Sequence, residues 1–152
     1  MDDEGGIHAS MDDHLLALLL GQSPDAVIFA GNDGTIVYWN EAAQRIFGYA
    51  PGEAIGMRLD IIIPEQFREA HWRGFDRALA ARDTQYRGKV LPTRAIRADG
   101  ETIYVELSFA IIKEEAGPVL GALALARDIT EHFNQDREMR RKLRELERAP
   151  AT

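Results

Sequence analysis

The alternation of apolar and polar residues predicts five β-strands along the chain. These runs cover about residues 26–30, 35–39, 85–96, 101–113 and 118–129. Strands that follow each other directly are separated by turn residues, and Asp-Gly is a strong hairpin signal because both residues tolerate a positive φ. The three predicted hairpin turns are Asp33-Gly34, Asp99-Gly100 and Gly117-Pro118. The pattern therefore predicts two strands, a helical excursion, three strands and an exit helix.

Helical periodicity predicts α-helices in the segments that lie before, between and after the strands. A short leucine-rich helix begins at a cap formed by Asp12 or Asp13, and Asn40 caps a second short helix. A turn-rich stretch, residues 51–63, separates that helix from the longest internal one. The predicted helices are, in order, residues 12–21, 40–49, 64–83 and 130–148.

The long internal helix carries Phe67, His71 and Phe75 at four-residue steps, so these side chains share one face. We expect this face to be the buried one. A histidine on such a face either binds a ligand or is a core histidine that is hydrogen-bonded to a backbone carbonyl or to water. Both roles need a buried imidazole, so the helical pattern alone leaves the choice open.

The two terminal helices have apolar residues that the predicted sheet does not account for. Leucines between positions 15 and 20 cover most of the first helix, so it must pack on the domain or on a second copy of itself. The exit helix is highly charged and has only a narrow apolar stripe, which is typical of a two-helix seam. The alternative is a solvated helical end. The stripe consists of Phe133, Met139, Leu143 and Leu146.

Composition narrows the possible functions. The chain has 152 residues, a net charge of -7 and no cysteine. The acidic balance argues against nonspecific binding to DNA, RNA or an anionic membrane. The absence of cysteine excludes a disulfide framework, a thiolate metal site and a cysteine nucleophile. The apolar run of residues 15–20 is too short to span a bilayer and lacks the basic flank of a signal peptide. We expect a cytoplasmic protein.

Several segments of the chain resemble the PAS family, and they occur in the family's order. They are "SPDAVIFAGNDGTIVYWNEAAQRIFGYAPGEAIG", "RADGETIYVELS" and "ALARDITE". The resemblance implies an α+β PAS fold, in which a five-stranded antiparallel sheet has helices on one face and a pocket between the two layers. It divides the chain into a tail and cap helix (1–22), a PAS domain (23–130) and a linker helix with its tail (131–152).

The segment "LDIIIPEQFREAHWRGFDR" is similar to the pocket helix of haem-binding PAS domains, as found in rhizobial oxygen-sensor kinases and oxygen-sensing phosphodiesterases. The resemblance implies that His71 is the proximal iron ligand and that haem b is the cofactor. Neutral imidazole binds haem iron well and leaves the opposite side open for a gas. Arg77 lies where those proteins have an arginine that can pair with a haem propionate. A solvent-facing Arg77 is the alternative.

The gas-binding side departs from that pattern. The oxygen sensors have an arginine or a methionine on the following strand, and this chain has Leu91 and Lys89 at the matching positions. Tyr86 replaces an aliphatic pocket residue, while Leu107 and Phe109 match two apolar ones. Bound oxygen gains from a hydrogen-bond donor, which Leu91 lacks and which Tyr86 or Lys89 can supply. The sequence therefore does not decide whether the gas is O2, CO or NO.

Two other functions compete with gas sensing. One is a haem-free PAS module that dimerises or binds other proteins through its leucine-rich helix and its exit helix. The other is noncovalent flavin binding, with Trp39 or Trp72 lining the pocket. Flavin photochemistry of the LOV type needs a reactive cysteine, which the chain lacks. No arrangement of residues indicates a catalytic site, so we predict a non-enzyme.

The resemblance also implies how the domain communicates. We expect a homodimer that passes its signal through the C-terminal helix to an effector domain or to a partner protein such as a kinase, as in two-component signalling. We expect no nucleic acid partner and no membrane contact. The chain ends soon after the exit helix, so it is either a piece of a larger sensor or a free-standing protein that signals in trans.

Overall fold

Five strands form one antiparallel sheet within the residues that the computed structural model describes, which are 12–85 and 88–148. Their spatial order is β2-β1-β5-β4-β3, so the first and last strands pair at the centre of the sheet. This confirms the predicted fold class. The strands are β1 (Ala26–Gly31), β2 (Ile36–Trp39), β3 (Leu91–Ile96), β4 (Thr102–Lys113) and β5 (Val119–Asp128).

The helices agree closely with the periodicity of the sequence. Asp12 caps the first helix by accepting a hydrogen bond from the Leu15 N–H at 2.7 Å, and Asn40 caps the second through the Ala43 N–H at 3.0 Å. Two short 3₁₀ turns, Leu59–Ile62 and Glu65–Phe67, precede the long internal helix. The α-helices are α1 (Asp13–Gly21), α2 (Glu41–Phe47), α3 (Pro51–Ala54), α4 (Arg68–Ala81) and α5 (Thr130–Arg148).

The third strand is shorter than the sequence pattern predicts. The expected start at residue 85 is wrong, because β3 begins at Leu91. Gly88 has a φ of 73°, which interrupts the extended backbone just before the strand. Lys89 and Val90 therefore lie in the connection from α4 and not in the sheet.

The most tightly packed core lies between α2 and the central strands. Phe47, Ile28 and Val105 are almost fully buried there. Asn40 is buried beside them, and its side-chain oxygen accepts hydrogen bonds from the N–H groups of Val27 and Ala43. Its amide group donates to the carbonyls of two further residues. Asn40 thereby joins α1, β1 and α2, and every polar atom of its side chain has a partner.

The long helix α4 is not packed in the same way. None of its residues is buried, which contradicts the prediction of a buried face. Phe67 is 42% exposed, while His71 and Phe75 are half-buried. The physical reason is that this face overlooks open space between the helix and the sheet.

Helix α1 leaves its leucines exposed within the described residues. No side chain of α1 is buried, although the Leu20 carbonyl near its end accepts a hydrogen bond from Asn40, so the described domain leaves much of the leucine surface uncovered. Among the described residues, no helix is long and apolar enough to cross a membrane. The exposed leucines of α1 are Leu15, Leu16, Leu18, Leu19 and Leu20.

Candidate ligand-binding site

The main cavity lies between the sheet and α4 with the turns that precede it. Its volume of about 710 Å³ is within the range typical of small-molecule sites. Strands β1, β3, β4 and β5 provide one wall, and the end of α2, the 3₁₀ turns and the first half of α4 provide the other. The apolar residues of these walls include Ile28, Phe47, Leu59, Ile62, Ile63, Leu107, Phe109 and Ala124.

His71 is the titratable residue that α4 presents to this cavity. Its Nδ1 atom is buried and has no hydrogen-bond partner. Burial lowers the pKa of His71 below its usual value; the carboxylate of Asp60 opposes this shift, and the cation Arg58 acts with it. The ring lies edge-on to Trp72, with centroids 4.8 Å apart, and is tilted against Phe75 at 6.0 Å. His71 is therefore a neutral imidazole with an unsatisfied buried nitrogen, a costly arrangement without a partner.

A second cavity, of about 490 Å³, adjoins the first at His71 and Phe109, which line both. The sheet contributes Ile111 and Ala122 to it. On the opposite side α4 presents small residues, so the helix leaves space above the sheet along much of its length. These small residues are Ala70, Gly74, Ala78 and Ala81.

The structure brings some of the predicted site residues together and separates others. His71, Leu107 and Phe109 line the main cavity, whereas Arg77 lines the second one. Leu91 is half-buried opposite Leu107 in the β3–β4 ladder but is not among the lining residues of either cavity. Lys89 is exposed in the connection before β3, and Tyr86 falls outside the described residues.

The two tryptophans do not line either cavity. Trp39 is buried in the core, where its Nε1 donates to the Tyr49 carbonyl at 2.9 Å. Trp72 is half-buried against the β1–β2 turn at Gly34, and its Nε1 donates to the Asp60 carboxylate at 2.6 Å. The Arg58 guanidinium lies 4.0 Å from its ring. The placement of both indoles gives no support to a flavin stacked on tryptophan.

Sequence reasoning missed Arg94, Tyr104 and Phe133, which also line the main cavity. The Arg94 guanidinium lies over the rings of Phe67 and Tyr104, at 5.7 and 5.8 Å from their centroids. Tyr104 stacks on Phe133 of α5, with centroids 3.9 Å apart and planes 20° from parallel. The sequence marks Phe133 only as the first apolar residue of the α5 stripe. It does not show that this ring stacks on Tyr104, because the two residues lie far apart along the chain.

The residues present fit a haem group on two counts. Two adjoining cavities meet at His71, and the main one has mostly apolar walls, as a flat macrocycle requires. Burial favours the neutral imidazole of His71, which is the form in which histidine binds iron, and its buried Nδ1 has no partner within the described residues.

Comparisons of the sequence and of the structure with known proteins point to the same family. Residues 20–132 match the family model described as the PAS fold. A crystal structure of the PAS domain of a protein from Colwellia psychrerythraea superposes with a TM-score of 0.68 at 24% identity, covering 78% of this chain and 97% of that one. At that identity the superposition shows a shared fold.

Two curated relatives are sensor proteins. Sensor protein FixL from Bradyrhizobium diazoefficiens is 30% identical over 135 residues, covering 87% of this chain and 26% of that protein. Oxygen sensor protein DosP from Escherichia coli is 29% identical over 115 residues, covering 76% of this chain and 14% of that protein. The chain therefore spans only a small part of the length of these relatives.

Proposed function

We propose a sensory function for this chain, which belongs to the PAS-fold family: it binds haem through His71 and responds to a diatomic gas. The bound haem would supply the iron that binds the gas. The residues of the chain would hold the cofactor, exclude water from it and pass on the change that gas binding causes.

The observation that carries this proposal is the buried, unpartnered Nδ1 of His71 beside a cavity of about 710 Å³. In the tautomer with its proton on Nε2, Nδ1 carries the lone pair, and a ligand that accepts this pair removes the free-energy cost of leaving a buried nitrogen unsatisfied. The lowered pKa of His71 keeps the ring neutral near pH 7, so no proton has to leave before a metal binds. The similarity to an oxygen sensor protein supports the same function.

The neighbouring residues would divide the remaining tasks. Leu107 and Phe109 give the gas side an apolar wall. Arg77 would pair with a propionate at the second cavity. A hydrogen bond from Tyr86 or Lys89 would favour O2, whereas a gas side formed only by apolar residues such as Leu107 and Phe109 would favour CO or NO.

Output would run through α5. The Tyr104–Phe133 stack joins a wall of the cavity directly to this helix. Backbone contacts strengthen the joint, because Thr130 Oγ1 accepts from the Tyr104 N–H at 3.0 Å and the Ile129 N–H donates to the Tyr104 carbonyl at 2.9 Å. A shift of β4 against the cofactor would therefore move the start of α5, and an attached or separate effector such as a kinase would respond.

The test is a haemin titration of the purified chain followed by its visible spectrum. We expect a sharp Soret band in the wild type, a shifted and weakened band in His71→Ala, and no change in His132→Ala. His132 is the matched control because it is an exposed histidine on α5. A folded wild type that takes up no haemin, or a His71→Ala variant with an unchanged spectrum, would contradict the proposal.

A second candidate function is a haem-free module that dimerises through α1 and α5. It is favoured by the exposed leucines of α1 and by the exposed seam residues Met139, Leu143 and Leu146 of α5. Sedimentation of the wild type and of a Leu16→Glu, Leu19→Glu double variant tests it. A dimer without haem uptake that dissociates in the double variant supports this candidate, and a wild type that is monomeric at every concentration contradicts it.

A further inference from the structure

We propose that Arg94 receives a carboxylate of the ligand at the end of the main cavity that borders α5. The pocket would then select apolar ligands that carry a carboxylate, a class that includes haem. Both propionates of haem leave the same edge of the macrocycle, so they reach Arg94 or Arg77 and not both, and the Arg94→Ala variant decides which. This inference rests on the proposed function for the identity of the ligand, but the Arg94 contact itself does not require a metal.

The position of Arg94 suggests a subsite. Arg94 is one of the residues that line the main cavity, so its charge borders a largely apolar space. Its guanidinium group is within 6 Å of two aromatic rings, those of Phe67 and Tyr104. Within residues 12–85 and 88–148, no carboxylate forms an ion pair with Arg94. Arg94 is an exposed residue, so the two rings steady a cation that stays in contact with water and keeps its hydrogen-bond donors for another group.

The chemistry of guanidinium matches a carboxylate. The planar group presents two parallel N–H donors to the two carboxylate oxygens, and its flat faces stay free to lie on aromatic rings. A carboxylate that enters an apolar cavity without a partner loses hydration and weakens binding. Arg94 removes that loss at one end of the cavity while the apolar walls contact the rest of the ligand.

Arg94 differs from Arg77 in what it touches. Arg77 lines the second cavity, along the later part of α4. Arg94 lies on β3 opposite Tyr104 in the strand ladder, and Tyr104 stacks on Phe133 of α5. A carboxylate bound to Arg94 therefore acts on the same ring that fixes the beginning of α5. The subsite would link ligand occupancy to the output helix.

Metal-free protoporphyrin IX and its dimethyl ester are the probes that test this subsite. Both have the same flat apolar body, and only the first carries carboxylates. We expect the wild type to bind the diacid about five- to tenfold more tightly, the size of a partly exposed charge-assisted hydrogen bond. Arg94→Ala should abolish this preference and leave the affinity for the ester unchanged. The preference in the wild type should also shrink as salt is raised.

Two variants keep the test decisive. Arg94→Lys retains the charge but loses the two-pronged donor, so it should show an intermediate preference and decides the matter if Arg94→Ala does not fold. Arg45→Ala removes an exposed arginine on α2, outside both cavities, and should match the wild type.

The outcomes separate this inference from the proposed function. A wild-type preference for the diacid that survives in Arg94→Ala, or no preference in the wild type, overturns the Arg94 subsite alone. Normal porphyrin binding together with a haemin spectrum that does not depend on His71 overturns the proposed function alone. A wild type that binds neither porphyrin nor haemin overturns both.

Discussion

The region around α2 and the region under α4 use the same sheet in opposite ways. Under α2, Phe47 is fully buried and Asn40 satisfies every polar atom of its side chain. Under α4, no helical residue is buried, and His71 has a nitrogen without a partner. Packing under α2 fixes the position of the strands, and a cavity remains where α4 lies over the same sheet. A small fold can thus leave one face unfilled if the other is packed well enough.

The largest expected effect comes from breaking the packed region. Phe47→Ala should lower the free energy of unfolding by about 3–5 kcal/mol, because the ring has no exposed surface even though it reaches the wall of the main cavity, and its removal enlarges that space. Phe109→Ala removes the same number of atoms from a half-buried residue that already borders open space, so it should cost about 1 kcal/mol. Urea denaturation of both variants measures the difference. Equal losses would mean that the two regions are equally packed.

Most of the packed region could be predicted from the sequence, because its signals are local. Asp33-Gly34 and Asp99-Gly100 mark turns, and both glycines have a positive φ as expected. Asn40 caps α2 as the pattern indicates. The third turn shows the limit of this reasoning, since the residue with positive φ between β4 and β5 is Ala116 and not Gly117.

The site was harder to predict because cavities arise between elements that are distant in sequence. The helical spacing of His71 predicts that it shares a face with Phe67 and Phe75. It does not predict whether that face meets packed side chains or open space. Arg94 pairs with Tyr104 across a ladder, and Tyr104 meets Phe133 only after α5 turns back onto β4. The spacing of Arg77 from His71 likewise says nothing about which of two cavities it borders.

A second way to test the comparison is to disturb the contact between the β1–β2 turn and Trp72 of α4. Gly34 lies in the β1–β2 turn, and an added Cβ there would clash with the indole ring of Trp72 on α4. Gly34→Ala should therefore lower the free energy of unfolding by about 2 kcal/mol, part of it from the strained φ of 82° and part from displacing Trp72. Denaturation followed by tryptophan fluorescence gives both the stability and the environment of the indole.

The matched control for Gly34→Ala is Gly100→Ala in the β3–β4 turn. Gly100 has a similar φ of 88°, but an added Cβ would meet nothing within 4 Å. It should therefore cost only the backbone strain, about 1 kcal/mol, and leave tryptophan emission unchanged. An equal loss in both variants would show that Trp72 does not hold α4 to the first hairpin.

The smallest expected effect is a pH dependence that only the open region should show. Burial lowers the pKa of His71, so below its usual value near 6.5 the unfolded chain binds more protons than the folded chain. The free energy of unfolding should therefore fall as pH drops from 8 through about 6.5 and level off below the folded-state pKa. Asp60 reduces this fall and Arg58 adds to it, because these two charges act on the imidazole. His71→Gln should show a shallower fall between pH 8 and 5, and His132→Gln should keep the wild-type slope. Identical slopes in all three proteins would mean that His71 can take up a proton without cost, and that the space under α4 admits water as freely as the surface does.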